Sequence, residues 1–256
     1  MIDGVSVHYS EHGTGTALLA LHGAGVDHRE IEAAVEEFVP AGLRRIYPDL
    51  PGMGRTRGAD HLTGNDAVVG LLCDLVDELH AGPVLLLGHS YGAYLARGVA
   101  ARRPDLVGGL ALLCPVGEST HDVPQPSAVR SDPDAYEELE PEQRNGFDDY
   151  FVIRTAATAR RYRDHTVPGM QQVDQEVLGR IFGNWQIDLG EQRFAGPTLI
   201  VAGRRDSTAG YRAAIDLMEQ YPAATLTVLE DAGHALPHEQ PELLRALVGH
   251  WVDRSR

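Results

Sequence analysis

Cysteine is nearly absent from this sequence: Cys73 and Cys114 are the two present in 256 residues. Neither stands at a metal-ligand spacing, and each sits among apolar neighbours (Leu71, Leu72 and Leu75; Leu112 and Leu113). Disulfide frameworks belong to small secreted chains, so two buried thiols and a reducing, cytoplasmic compartment are expected. Long apolar runs are missing as well. No stretch approaches the roughly 20 residues of a membrane-spanning helix. Met1-Ile2-Asp3-Gly4 opens the chain without a basic region or an apolar signal core, so neither a membrane partner nor export is expected. Positive charge is short too: 22 basic residues face 37 acidic ones, a formal net charge of −15. A nucleic-acid partner needs a positive face to hold phosphates, and this balance argues against one. No internal repeat or low-complexity segment is visible, and nothing in the sequence sets the oligomeric state.

What is present is a soluble globular composition, 43% hydrophobic and 23% charged. The length suits one α/β domain, or one domain carrying an insertion, and can bury enough surface to need no covalent staple. Short runs rich in Val, Ile and Leu recur at 17–21, 43–47, 84–87, 107–113, 198–202 and 225–229. Strands apolar on both faces belong in a parallel sheet covered by helices on both sides. Residues 5–10 alternate more and fit an antiparallel edge strand. Between the runs, 65–79, 91–102, 211–220 and 239–252 read as helices; in the first, Val68, Leu71, Leu72, Leu75, Val76 and Leu79 form one apolar stripe. Alternating strands and helices predict an α/β fold with a mostly parallel central sheet. One segment breaks the rhythm. It opens with Pro124, Pro126 and Pro133 and continues through helical patterns at 142–162 and 174–183, until Gly196-Pro197 restarts the strands. The expected organisation is therefore a core of 1–115 and 196–256 with a helical cap insertion at 116–195.

The segment Val84-Leu85-Leu86-Leu87-Gly88-His89-Ser90-Tyr91-Gly92-Ala93 runs from a buried strand through G-x-S-x-G into a helix. A serine at a sharp strand-to-helix turn adopts a strained backbone, and side chains two positions either side would collide with it. Gly88 and Gly92 remove those side chains. The turn lifts the Ser90 hydroxyl out of the sheet at a helix N-terminus, where the free N–H of Tyr91 can face a developing negative charge. The bland alternative, a chance glycine pair around a surface serine, is weakened by the flanking strand and helix.

With that motif the chain resembles the α/β-hydrolase superfamily, and the likeness covers almost its whole length. Leu21-His22-Gly23-Ala24-Gly25 resembles the family's HG segment, and Asp49-Leu50-Pro51-Gly52-Met53-Gly54-Arg55 its D-x-P-G-x-G turn, although Thr56 stands where serine is commoner. Ser90 needs a base to take its proton and a carboxylate to orient that base. Glu230-Asp231-Ala232-Gly233-His234 follows the last apolar run and resembles the family's G-H loop, which implies His234 as base. His238 is the nearest rival and suits a capping or solvated role at the helix start. Leu199-Ile200-Val201-Ala202-Gly203-Arg204-Arg205-Asp206 places a carboxylate just beyond a buried strand, where the family carries its acid. The proline that often follows is missing, Arg204 or Arg205 could pair with Asp206 instead, and Asp231 and Glu118 remain alternative acids. The resemblance implies an oxyanion hole built from the backbone N–H groups of Ala24 and Tyr91.

No metal and no cofactor are expected. His8 and His12 would not converge from a strand, and His22 and His28 flank a loop. Gly13-Thr14-Gly15 lacks the preceding strand and later acid of a dinucleotide loop. The expected partner is a small-molecule substrate whose choice comes from the cap. Of Tyr136, Phe147, Tyr150, Phe151, Tyr162, Phe182 and Trp185, one or two should reach the pocket, the rest packing the cap. Arg154, Arg160, Arg161 and Arg163 would attract an acidic substrate or form a solvated face. The leading expectation is a serine hydrolase cleaving an ester, lactone or related carbonyl compound through an acyl-enzyme. A carbon–carbon hydrolase with the same residues and a slow-turnover binder are the alternatives; relatives that open epoxides carry aspartate at this elbow.

Overall fold

The computed structural model describes residues 1–80, 82–117, 122–190 and 194–256. An opening strand, β1 (Tyr9–His12), is followed by β2 (Thr16–Leu21), α1 (His28–Phe38), β3 (Leu43–Pro48), α2 (Asn65–Glu78), β4 (Val84–His89), α3 (Tyr91–Arg102) and β5 (Val107–Leu113). A mostly helical stretch comes next. It holds the short strand β6 (Arg130–Ser131), α4 (Pro141–Tyr150), the short strand β7 (Ile153–Arg154), α5 (Ala156–Arg161), a π-helical turn at Tyr162–Thr166, α6 (Val167–Met170) and α7 (Gln175–Phe182). The alternation resumes with β8 (Thr198–Gly203), α8 (Arg212–Leu217), β9 (Ala224–Leu229), α9 (Leu236–Glu239) and α10 (Pro241–Arg254).

Seven strands form one sheet in the order β1-β3-β2-β4-β5-β8-β9, parallel except for β1. Alternate residues of the parallel strands serve opposite faces, because successive side chains of a strand point opposite ways. Leu19, Leu86 and Leu110 pack with α2 and α3 through Val68, Leu72, Leu95 and Val99. Leu18, Leu85 and Ala111 pack with α1 and α10 through Ile31, Phe38, Leu244 and Trp251. The chain moves outward from β2 to β3 on one side and from β4 to β9 on the other. The switch between β2 and β4 leaves a crevice at the carboxyl ends of the strands, the place where open α/β sheets bind ligands. Among the described residues, no helix is long and apolar enough to cross a membrane.

The stretch between β5 and β8 carries its own small core of Ala135, Leu139, Phe147, Phe151, Ala159 and Tyr162, closed below by Ala235. Its expected helix at 142–162 is two helices. The chain breaks after α4 because the backbone N–H groups of Val152 and Ile153 both bond the Glu239 carboxylate, at 2.6 and 3.1 Å. Thr155 then caps α5. The edge strand also lies later than expected, because residues 6 and 8 are tied to the loop after β3. Ser6 and Arg57 exchange backbone bonds, and the His8 N–H donates to Thr56 Oγ1 at 3.1 Å. Helix α1, absent from the expected elements, buries Ile31, Ala34, Val35 and Phe38 at helical spacing behind an Asp27 N-cap.

Candidate active site

Ser90 sits between β4 and α3 with φ 55° and ψ −116°, a conformation that costs a non-glycine residue about 1–3 kcal/mol. The surroundings enforce it. The Ser90 N–H donates to the Leu113 carbonyl at 2.9 Å, and its carbonyl accepts from the N–H groups of Ala93 and Tyr94. A Cβ on Gly88 would collide with the Gly92 backbone, and one on Gly92 with the carbonyls of Leu21 and His22. Both glycines are therefore required by close backbone approach. They lock α3 against β2 and hold the serine at the crevice.

His234 reaches the site from the loop after β9. Its Nε2 lies 2.9 Å from Ser90 Oγ, and its Nδ1 lies 2.9 Å from Asp206 Oδ2. Asp206 follows β8 and is fully buried. Burial opposes its charge, but His234 and the backbone N–H groups of Ala209 and Thr208 outweigh that and hold its carboxyl below the usual range. The two N–H groups donate to Asp206 Oδ1 at 2.8 and 2.9 Å, leaving Oδ2 for the imidazole. The arginines beside it look elsewhere: Arg205 pairs with Glu230 at 2.8 Å, and Arg204 lies over the Tyr211 ring. Asp231 is exposed, and Glu118 lies outside the described residues.

The Gly23–Ala24 segment runs beside Ser90; a Cβ on Gly23 would stand 3.5 Å from Ser90 Cβ. His22 shapes this loop. Its Nδ1–H donates to Gly23 O at 2.7 Å, while its Nε2 accepts the Leu50 N–H at 3.0 Å. Burial pushes its pKa down, in keeping with a neutral ring of fixed tautomer. Across a trans peptide the N–H of Ala24 points opposite to the Gly23 carbonyl so held. The N–H of Tyr91, first residue of α3, has no partner within the helix. The Tyr91 ring packs into the core against Phe182 and Trp185, with its hydroxyl on Asn65.

A cavity of about 340 Å³ opens over Ser90. Gly23, Ala24, Gly25 and His234 form its floor, and Tyr150, Tyr162, Thr166 and Met170 cover it from the stretch between β5 and β8. Two of the seven expected aromatics thus reach it. The four arginines of this stretch do not. Arg154 pairs with Asp148 at 3.2 Å, Arg160 and Arg163 with Glu138 at 2.9 and 2.8 Å, and Arg161 with Glu37 at 3.2 Å. Among the described residues, no arginine lines the cavity.

Two buried carboxylates behind the site escaped the sequence reading. Glu30 of α1 accepts from the Tyr150 hydroxyl at 2.7 Å and from His238 Nε2 at 3.0 Å, with His89 Nδ1 at 3.7 Å. Its complete burial opposes ionisation, yet His89 and His238 hold its carboxyl well below the usual range. Burial in turn disfavours a charged His89, but Glu30 raises it. His89 Nε2–H donates to the His234 carbonyl at 2.9 Å, so this knot grips the backbone of the histidine loop. His238 is therefore a buried tie, not a cap. Glu239 is the second. One oxygen accepts from Val152 and Ile153, the other from the Gly233 N–H at 2.7 Å, joining β7 to the residue before His234. Cys114, fully buried, donates to the Gly233 carbonyl at 3.5 Å, and burial pushes its thiol far up. No local signal marks Glu30: its partners lie 59 to 208 residues away along the chain.

Among the described residues, two groups have the composition of metal ligands, His8–His28–Asp49 and His89–Cys114–His234. In the first, both rings turn Nδ1 to Asp49, whose oxygens also accept the N–H groups of His28 and Arg55. In the second, His89 Nε2 and both His234 nitrogens already face protein partners. Asp49 organises the turn after β3, where Thr56 Oγ1 donates to the Asp49 carbonyl at 2.6 Å, so the commoner serine's hydroxyl is supplied by threonine.

The model of the alpha/beta hydrolase family matches residues 18–247. The (E)-2-((N-methylformamido)methylene)succinate hydrolase of Acinetobacter baylyi is 24% identical over 98% of this chain and 95% of its own length. The pimeloyl-(acyl-carrier protein) methyl ester esterase of Aromatoleum aromaticum is 30% identical over 90% of this chain and 96% of its own. In structure, an alpha/beta superfamily hydrolase from Oenococcus oeni superposes with a TM-score of 0.84 at 26% identity, covering 97% of this chain and 96% of that one.

Proposed function

The chain belongs to the alpha/beta hydrolase family, and from that premise we propose that it is a serine esterase acting through an acyl-enzyme. Carrying this reading is the chain of hydrogen bonds from Asp206 through His234 to Ser90, standing open to the cavity. Ser90 Oγ attacks the ester carbonyl as its proton passes to His234 Nε2, and Asp206 stabilises the imidazolium. The oxyanion is met by the N–H groups of Ala24 and Tyr91, each such donor typically worth about 10²–10³ in rate. The alcohol leaves with the proton from His234, and water releases the acid by the reverse sequence. Residues 116–195 act as the cap that covers the bound acyl group. The compartment is the reducing cytoplasm, a reading supported by two buried, unpaired cysteines.

A lining without arginine or carboxylate among the described residues favours an ester of a neutral acyl group over an acidic substrate. Carbon–carbon cleavage beside a ketone remains a second use of the same residues. The complete hydrogen-bonded chain, in turn, weighs against a binder that has lost catalysis. The test is the initial rate on p-nitrophenyl esters of increasing acyl length, with Ser90→Ala alongside. Serine-dependent cleavage with an optimum at medium length is expected. Equal rates in Ser90→Ala would end the proposal.

A further inference from the structure

Thr166 is the last residue of the π-helical turn and lies on the cavity wall. It is buried, and its hydroxyl has no hydrogen-bond partner among the described residues. This is unusual. A threonine in a helix ordinarily satisfies its hydroxyl on the carbonyl one turn back, and an unsatisfied buried hydroxyl costs about 1–3 kcal/mol. Here the turn is widened, with the Val167 N–H bonding the Tyr162 carbonyl five residues back, and π-bulges of this kind are frequent at functional sites. Tyr162 begins the same turn and lines the same cavity. Its hydroxyl has a methionine sulfur, Met170 Sδ at 3.9 Å, as its partner, and sulfur is a weak acceptor. Gly146 makes room for it, since a Cβ there would strike the hydroxyl. The remaining polar group of the roof, the Tyr150 hydroxyl, is spent on Glu30.

We propose that Thr166, with Tyr162 beside it, forms a hydrogen-bonding subsite for a neutral oxygen acceptor, a ketone or ether oxygen, within the acyl part of the substrate. The inference rests on acyl transfer at Ser90 and adds the substrate class. A free carboxylate is disfavoured because no arginine among the described residues lines the wall. A plain alkyl chain leaves the hydroxyl unsatisfied, whereas an oxygen at the right depth satisfies it. At about 1–3 kcal/mol per buried hydroxyl this is a preference of roughly 5- to 150-fold.

The experiment compares kcat/KM for p-nitrophenyl heptanoate and its 4-, 5- and 6-oxo analogues in the wild type, Thr166→Val and Thr166→Ser. At least one oxo ester is expected to outrun the alkyl ester by tenfold or more in the wild type. Thr166→Ser should keep that preference. Thr166→Val should lose it without a fall in Tm, because the valine removes a hydroxyl that the protein leaves unpaired. Loss of Tm in Thr166→Val would assign the hydroxyl a structural role and overturn the subsite. So would an unchanged preference in that variant, or no preference in the wild type. Absence of Ser90-dependent cleavage of every ester would fell the acyl-transfer reading itself, and the subsite with it.

Discussion

At Ser90 the backbone is held at φ 55° by bonds on both sides, so the strain is part of the resting protein, and the proposed attack would start from a hydroxyl already in place. Asp206 spends one oxygen on two backbone N–H groups and the other on His234, which fixes which imidazole nitrogen carries the proton. Asp206→Asn should therefore keep the fold and lower kcat by about 10⁴, because an amide at this position favours the wrong tautomer. A drop of less than tenfold in ester hydrolysis would move the acid's role elsewhere. Ser90, His234 and Asp206 were legible because each lies in a short run whose own residues build the turn that presents it. Thr166, Glu30 and Glu239 were not. The cavity that gives Thr166 meaning is assembled from the loop after β2, the loop after β9 and the stretch between β5 and β8, and no local pattern records that meeting.

Among the elements, the buried parallel strands were readable because burial on both faces leaves continuous apolar runs, and β2, β4, β5 and β8 fall where those runs stand. Errors came where a distant residue decides the boundary. The break between α4 and β7 is made by Glu239, 87 residues from Val152. That carboxylate ties the stretch between β5 and β8 to the histidine loop, and a pH dependence is expected of it. Burial pushes it from 4.5 up to about 7, against the pull of the N–H groups of Gly233, Ile153 and Val152. With an acid raised in the native state, the folded protein binds the proton more tightly than the unfolded chain. Its stabilising contribution is full below about pH 4.5 and is lost as pH rises to about 7. The loss amounts to about 3 kcal/mol, at roughly 1.4 kcal/mol per unit of separation. Glu239→Gln should remove this slope, so the wild type's Tm should fall more steeply than the variant's between pH 5 and 8. Parallel curves would mean that Glu239 does not titrate there.

For the whole molecule, the sheet brings Ser90, Asp206 and His234 together at its carboxyl edge, and the stretch between β5 and β8 walls the cavity above them. Against a net charge of −15, no carboxylate among the described residues lines the cavity. The two parts are joined by carboxylates, Glu30 through Tyr150 and Glu239 through Val152 and Ile153, so the wall is fastened to the same loop that carries His234. The cavity wall and the Ser90–His234–Asp206 chain thus share one support. The central claim is that a covalent ester forms on Ser90 during turnover. It is tested most directly by rapid acid quench of the enzyme with a p-nitrophenyl ester, followed by intact mass and peptide mapping, in the wild type and Ser90→Ala. The account expects a p-nitrophenol burst with one acyl group mapped to Ser90, and neither in the variant. Sustained hydrolysis with no acyl group on Ser90, or an equal burst in Ser90→Ala, would contradict it.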